Sequence, residues 1–466
     1  MQSFRQRNPT NIRRAGRKWT LLCFGLLLLA GAEFAVRGPA RAIHSATQFN
    51  DFLSPYIQAN AWMRGLDPYS PETLLRLWPA GAAHFLFLPK EVADGTLIAK
   101  RGIPTAYPIT SLVLIAPVSL LPWKVVYALW LAINLGLFSV MLWMLVELAG
   151  FSYRDPSAIL LVAATLALAP FHTGIVTGNV ALVAVELGVI AVWAARMRYE
   201  ITTAILLAVS AGLKPQIGLC FLLYYLVRRR WRVSGIALAL IVLLAGVGLL
   251  RLELGHTPWL GNYLNDNRVL LESGILANFT PVNPMRFGLI NLQVVLYSFV
   301  GSIGLANDLA ASIGAILLIV WLIGMRRRSA QANFELLDLS AIVVVSLLPV
   351  YHRFYDAALL VFPLCWVFIS FRKSRIIGTV SLLLMLPFLI PGGTLLETMQ
   401  DSGRIPSILA NRWWWGMFVM PHQVWMLFFL SILLLYEMSI RRFSPTTSDG
   451  TAGDYFIDSH RMPTLE

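Results

Sequence analysis

The stretch ITTAILLAVSAGLKPQIGLCFLLYYLVRRRWR, residues 201–232, decides the fold class. It is mostly apolar over residues 201–227, it is interrupted at Lys214-Pro215, and it ends in a run of arginines. An apolar segment followed directly by basic residues is typical of a membrane-spanning helix whose basic end stays in the cytoplasm. Because proline breaks a helix, the stretch predicts either one kinked span or two short helices that meet at Lys214.

The composition extends this interpretation to the whole chain. The 466 residues are 57% hydrophobic and 13% charged, with a mean hydropathy of +0.68, whereas soluble domains carry about 25% charged residues. We therefore expect an all-α polytopic membrane protein with a single transmembrane domain over residues 1–440. The predicted apolar segments are 19–36, 107–122, 124–148, 157–172, 178–195, 201–213, 216–227, 233–250, 287–304, 308–325, 336–350, 356–371, 376–391 and 413–437.

The net charge of +13 does not indicate nucleic-acid binding, because the basic residues sit in short runs beside apolar segments. Cytoplasmic loops of membrane proteins carry this excess of Lys and Arg. The N-terminal basic segment and apolar run are interpreted as a retained first span with a cytoplasmic N-terminus. The polar tail, residues 441–466, is expected to be disordered and cytoplasmic.

Two topologies satisfy the basic runs, each with about 12 crossings. In the first, residues 107–122 are re-entrant and residues 201–227 cross twice as two short helices. In the second, residues 107–122 cross fully and residues 201–227 form one kinked span. We favour the first because it keeps Arg196 and Arg198 inside, and it places Asp51, Asn179, Lys214 and His352 together on the non-cytoplasmic side.

A long polar loop, residues 37–105, follows the first span and contains FNDFLSPYIQANAWMRGLDPYSP at residues 49–71. Asp51, close to the membrane boundary, is a candidate general base, since transfer to a hydroxyl requires a group that takes its proton. The alternative is a helix-capping or turn residue, and this is the interpretation adopted for Asp67 in its Asp-Pro turn. Short interfacial helices are expected at residues 59–66 and 72–78, which mix apolar and basic side chains. A second external loop is predicted at residues 251–285.

Three further patterns could carry chemistry. A lysine within an apolar segment costs about 2.5–3.5 kcal/mol and needs a partner, so Lys214 is a candidate phosphate ligand, or else a lysine that snorkels to the membrane surface. The segment LLPVYHRFYDAALL, residues 347–360, offers His352 and Arg353 as phosphate ligands, or forms an interfacial Tyr/Arg belt. In HTGIVTGN, residues 172–179, Asn179 could bind a sugar, or the glycines could serve helix packing. The remaining candidate substrate-binding residues are Asn50, Tyr56, Tyr107, Gln216 and Tyr355.

Several motifs are absent from the sequence. It contains no P-loop, no G-x-G-x-x-G, no H-E-x-x-H and no D-x-D pair. Its cysteines, Cys23, Cys220 and Cys365, all lie within apolar runs. We therefore expect no metal site, no cofactor, no disulfide and no cytoplasmic nucleotide-sugar site.

The order of these motifs resembles glycosyltransferase family 87, the polyprenyl-phosphate-mannose-dependent membrane mannosyltransferases of the GT-C superfamily. The resemblance runs over about residues 20–375 and includes AYPITSLVLIAPVSLLP at 106–122 and TGNVALVAVELGVIAVWAARMR at 177–198. It implies a GT-C-type fold, Asp51 as the base, and Lys214 and His352 as contacts of the donor phosphate. Where the family often has Gly-Gln, this chain has Gly178-Asn179.

The resulting hypothesis is an integral membrane glycosyltransferase of the bacterial inner membrane. It would transfer mannose or another hexose, with inversion, from a polyprenyl-phosphate-sugar to a glycan or glycolipid hydroxyl on the extracytoplasmic face. The donor lipid would enter sideways near residues 107–122 and 201–227. The alternatives are a transporter or flippase, and a polymerase or ligase of lipid-linked glycans. Neither alternative accounts as well for the long first loop with its membrane-proximal acidic residue.

Overall fold

The structure is a computed structural model that describes residues 9–44, 50–79, 82, 107–272, 277–327, 332–371 and 374–440. The regular elements of these residues are helices. They are α1 (Pro9–Ala35), α2 (Arg41–His44), α3 (Asn50–Met63), α4 (Pro71–Arg76), α5 (Ile109–Ser119), α6 (Trp123–Leu148), α7 (Pro156–Ala167), α8 (Ala169–Thr177), α9 (Val180–Arg196), α10 (Glu200–Leu213), α11 (Pro215–Val227), α12 (Trp231–Leu254), α13 (Trp259–Glu272), α14 (Leu292–Val300), α15 (Ile303–Arg326), α16 (Ala332–Ser346), α17 (Val361–Ser370), α18 (Arg375–Met385), α19 (Gly392–Asp401), α20 (Ser407–Ala410) and α21 (His422–Ile440). Short 3₁₀ turns cover Arg286–Gly288, Phe354–Leu360 and Leu386–Leu389, and π-helical turns cover Val36–Ala40 and Trp415–Val419.

Several helices are long and apolar enough to cross a bilayer. Five pass by length and composition, and seven pass if two bent helix pairs each count as one span. On α12 the side chains of Val242, Leu243 and Leu250 are 60–69% exposed. An apolar surface of this kind is expected to face lipid rather than water. The chain is therefore an integral membrane protein, while the figure of about 12 crossings stays a prediction.

The helices α10 and α11 form a hairpin around Lys214, which we call the Lys214 hairpin. At its open end, Arg196 lies 3.5 Å from Glu335, and Arg228 pairs with Asp338. Since Glu335 and Asp338 are one turn apart on α16, the C-terminal ends of α9 and α11 lie side by side. The two arms touch closely, because a Cβ on Gly218 would lie 2.2 Å from the backbone nitrogen of Ala211. Residues 200–227 thus form two short helices, as the first of the two predicted topologies requires, while their two crossings of the membrane stay a prediction.

Helix α5 is too short to cross a bilayer alone. Its 11 residues extend about 16 Å at 1.5 Å per residue, against a hydrocarbon core of about 30 Å. It packs parallel to α3: the Tyr107 hydroxyl before α5 contacts the Asp51 carbonyl, and Asn60 donates to the Ser119 carbonyl at its other end. This length agrees with the predicted re-entrant segment.

The predicted long loop contains α2, α3 and α4; α2 continues the candidate span Lys18–His44, and α3 and α4 overlap the expected interfacial helices. Most of its remainder, residues 80–81 and 83–106, lies outside the described residues, as does the predicted tail 441–466. The predicted second loop contains α13.

The predicted apolar segment at residues 287–304 is not one continuous helix. It contains α14, with 9 residues, and the first residues of α15. The chain before it pairs with the segment before the Phe354 turn: Ile290 N donates to the His352 carbonyl at 3.1 Å, and Leu292 N to the Leu348 carbonyl at 2.9 Å. These non-local bonds replace those of a continuous helix. The predicted span 157–172 is instead a bent pair, α7 and α8, which meet at 49°, and the sequence did not predict α19 and α20.

Candidate functional site

The break at Lys214 leaves backbone groups that α5 satisfies. Lys214 has an extended backbone between α10 and α11, and Pro215 opens α11 without an N–H to donate. The freed carbonyl of Gly212 accepts the hydroxyls of Thr110 and Ser111 at 2.8 and 2.9 Å. A broken helix at membrane depth is tolerated when protein satisfies its backbone in this way. The break in the helix is thus stabilised by hydrogen bonds from α5.

The Lys214 side chain points into protein and does not snorkel towards the membrane surface. It is 7% exposed, and its Nζ lies 2.6 Å from Asp356 Oδ1 and 4.8 Å from the centre of the Tyr355 ring. A buried ammonium requires such a partner. The partner is on the 3₁₀ turn that starts at Phe354, far away in sequence.

The Asp356 carboxylate contacts three other residues of the site. We call Asp356 and these three residues, Lys214, His352 and Arg353, the Asp356 cluster. The second oxygen of Asp356, Oδ2, is 3.0 Å from His352 Nδ1 and accepts the Arg353 backbone N–H at 3.0 Å. Because a carboxylate only accepts, His352 donates through Nδ1. His352 Nε2 is buried and makes no hydrogen bond to any residue the structure describes, so it is available to a ligand.

Asp51 lies in the first turn of α3, where the helix dipole favours an anion. Asn179 Nδ2 donates to Asp51 Oδ2 at 3.0 Å. Asn179 is itself fixed: it is the N-cap of α9, and its Oδ1 accepts the Ala181 N–H at 2.9 Å. The preceding Gly178 has φ +66°, the left-handed conformation that closes α8. The Gly-Asn pair therefore aims an amide at the candidate base.

Tyr107 connects Asp51 to its surroundings. Its hydroxyl donates to the Asp51 carbonyl at 3.1 Å. Burial raises the pKa of Tyr107 well above its usual value, and the charge of Asp51 raises it further, so Tyr107 stays a hydrogen-bond donor. Helices α8 and α9, on either side of Gly178 and Asn179, both pack against the turn Phe354–Leu360 that carries Asp356. Asp51, which Asn179 contacts, and the Asp356 cluster therefore lie in one region of the fold.

Some predicted site residues lie elsewhere or make no contact there. The Tyr56 hydroxyl donates to the Leu121 carbonyl at 2.9 Å, at the other end of α5 from Tyr107. Gln216 is half-buried at the start of α11, and it forms no side-chain hydrogen bond with the described part of the chain. Asn50 opens α3, and its side chain lies outside what the structure describes. The structure thus brings together Asp51, Tyr107, Asn179, Lys214, His352, Arg353 and Tyr355.

No role was predicted from the sequence for Asp356, the residue that joins the cluster. One signal was present: Asp356 follows His352 by four residues, a spacing that brings side chains together in helical turns. Its partner Lys214 is 142 residues away, and no local pattern indicates that contact.

The arrangement sets a carboxylate that can accept a proton against cations that can neutralise an anion. Such preorganised charges stabilise a developing negative charge best in a site with little water. Across the described ranges, no three or more His, Cys, Asp or Glu side chains are grouped to hold a metal ion.

Comparison with known proteins supplies the family. The model of glycosyltransferase family 87 matches residues 105–350, which is more than half of the chain and includes Tyr107, Asn179 and Lys214. No curated protein and no solved structure matches the chain. From the matched segment we conclude that this integral membrane protein belongs to glycosyltransferase family 87.

Proposed function

We propose that the protein transfers a hexose, mannose in the first instance, from a polyprenyl-phosphate-sugar to a hydroxyl of a glycan or glycolipid. Membership of the family supports sugar transfer. The observation that carries the finer proposal is that one carboxylate, Asp51, lies in the same region of the fold as the Asp356 cluster with its basic side chains. A phosphate leaving group needs positive charge, whereas a hydroxyl nucleophile needs a base.

In the proposed reaction, the acceptor oxygen bonds to the anomeric carbon while the bond from that carbon to the phosphate oxygen breaks. Asp51 takes the acceptor proton, and the electron pair of the broken bond leaves with the polyprenyl phosphate. Arg353, His352 Nε2 and Lys214 would hold the phosphate. Since the phosphate departs without protonation, one carboxylate is sufficient, unlike the pair used in glycoside hydrolysis.

Inversion of the anomeric centre is part of the same proposal. The base and the phosphate ligands come from different elements, the start of α3 on one hand and the Lys214 hairpin with the Phe354 turn on the other. A sugar between them would be attacked from the Asp51 side while its phosphate leaves from the other. One displacement of this kind inverts the anomeric centre.

We place the site on the extracytoplasmic face because of the charges at the opposite ends of its helices. Asn179 and Lys214 mark the site end of α9 and the Lys214 hairpin, whereas Arg196 and Arg228 mark the other end. Basic residues beside spans favour the cytoplasm. This orientation suits a lipid-linked donor, since the long first loop then lies outside together with Asp51.

The test is turnover by the full-length protein in liposomes that contain labelled polyprenyl-phosphate-mannose and a membrane-lipid extract as acceptor. We expect transfer by the wild type, loss of transfer in Asp51→Asn with donor binding retained, and wild-type transfer in the matched control Asp308→Asn. Polyprenyl-phosphate-glucose and GDP-mannose as donors test the sugar and the carrier. Wild-type turnover with GDP-mannose alone would refute the lipid-linked donor. Full activity of Asp51→Asn would refute the assigned base, and movement of intact donor across the bilayer without transfer would favour a flippase.

A further inference from the structure

Two buried carboxylates lie outside the candidate site, at the contact between α13 and the loop that follows α3. Asp67 belongs to the loop and is 6% exposed, and Asp266 belongs to α13 and is 0% exposed. Tyr69, also in the loop, packs edge-on against Tyr263 with ring centres 4.9 Å apart. The contact is thus a closed interface that buries two acidic groups.

The positions on α13 set the direction of Asp266. Asn262 Nδ2 donates to Asp67 Oδ2 at 2.7 Å, so this face of α13 lies against Asp67. Asp266 follows Asn262 by four residues, and residues four apart lie on the same face of a helix. The Asp266 carboxylate is therefore directed towards Asp67, one turn further along.

The charge at this interface is not balanced by the described residues. Asp67 accepts the Tyr69 N–H in the expected Asp-Pro turn, but neither oxygen of Asp266 has a hydrogen-bond partner in the described part of the chain. No ion pair joins Asp67 or Asp266 to a basic side chain of that part. Burial, together with the charge of Asp67, raises the pKa of Asp266 to about 8. A buried ionised carboxylate without a partner is unfavourable, and either a proton or a bound cation neutralises it.

We propose that a hard divalent cation, Ca²⁺ or Mg²⁺, binds between Asp67 and Asp266. Both ions prefer oxygen ligands, and Mg²⁺ is commonly held by one or two carboxylates with water in the remaining positions. A cation uses both oxygens of Asp266, whereas a single proton would occupy one. Only two carboxylates meet here, so water would complete the coordination.

This cation would stabilise the fold and take no part in the sugar transfer. It would hold α13 against the loop that carries Tyr69. The Tyr69 hydroxyl donates to the Tyr107 carbonyl at 3.2 Å, and the Tyr107 hydroxyl donates to the Asp51 carbonyl at 3.1 Å. The cation site is thus connected to the first turn of α3, and its loss is expected to loosen that turn.

The test uses the full-length protein in nanodiscs, stripped with a chelator and then titrated with CaCl₂ or MgCl₂. Thermal unfolding is followed by tryptophan fluorescence, with NaCl at matched ionic strength as the control salt. We expect a saturable rise of several degrees in the wild-type Tm with at least one of the two cations. The rise should vanish in Asp266→Asn and in Asp67→Asn, and it should persist in Asp308→Asn. Metal analysis of the wild type should show about one bound ion per chain, which Asp266→Asn lacks.

A wild-type Tm that responds to neither cation would overturn the proposal, and so would an equal response in Asp266→Asn. A proton in place of the cation gives a different result. The pKa of a protonated Asp266 is higher in the folded than in the unfolded state, so its contribution to stability falls as pH rises from about 4 to 8. A Tm that falls over this range in the same way with and without cation would indicate the proton. These readouts do not involve sugar transfer, so failure of the proposed reaction would leave this test unaffected.

Discussion

The contact between Lys214 and Asp356 allows a quantitative prediction. At the observed 2.6 Å and an effective dielectric constant near 20, two unit charges attract by about 6 kcal/mol before desolvation is subtracted. Removing one partner of a buried pair leaves the other uncompensated and costs about 3–5 kcal/mol. We therefore expect Lys214→Met and Asp356→Asn each to lower the free energy of unfolding by about that amount.

The double variant separates charge pairing from function. With both charges gone, no buried ion is left unpaired, so the loss in Lys214→Met/Asp356→Asn should not exceed that of a single variant. It then falls short of the sum of the single losses by about 3–5 kcal/mol. Turnover should not recover, because the phosphate then lacks the Lys214 cation. The assays are unfolding of the purified protein in mixed micelles, followed by tryptophan fluorescence, and transfer in liposomes. Additive losses, or single variants as stable as the wild type, would refute the pairing.

Three other predictions concern the base, the hairpin and the orientation. Asn179→Ser keeps a good helix cap but loses the contact with the candidate base, a charged hydrogen bond of about 1.5–3 kcal/mol. We expect an unchanged Tm and a kcat lower by about 10- to 100-fold, and an unchanged kcat would contradict the contact. Gly218→Ala should prevent stable folding because its Cβ meets the backbone of the facing helix, whereas Gly136→Ala, with nothing within 4 Å of the added Cβ, should keep the wild-type Tm. In intact cells an impermeant maleimide should label Val282→Cys, and it should label Tyr199→Cys only after lysis. The reverse pattern would invert the proposed orientation.

Local patterns in the sequence predicted most of the helices, because each apolar run is long enough to indicate a helix without knowledge of its tertiary contacts. The break at Lys214-Pro215 was also predicted, since proline and an embedded lysine both act locally. The interrupted helix at residues 287–304 has a non-local cause: backbone hydrogen bonds join this apolar segment to residues 348–353, and hydropathy does not report such pairing.

The site was predictable in its members but not in their contacts. Asp51, Lys214 and His352 stand out because polar groups near apolar segments are rare. Asn179 was expected to bind sugar, and in the structure its amide nitrogen donates a hydrogen bond to the Asp51 carboxylate. That contact spans 128 positions of the chain, so the sequence alone gave no basis for choosing it.

The arms of the Lys214 hairpin also affect the surrounding lipid. They contain 14 and 13 residues and are therefore about 20 Å long each, while Ile205 and Leu219 on them are close to half exposed. The hydrocarbon core of a bilayer is about 30 Å thick, which is more than the length of these apolar arms. A bilayer adapts to such a hydrophobic mismatch by thinning beside the protein. Lipid headgroups then dip towards the level of Lys214. A phosphate attached to a long isoprenoid chain would reach the site from there while its chain stays in the leaflet.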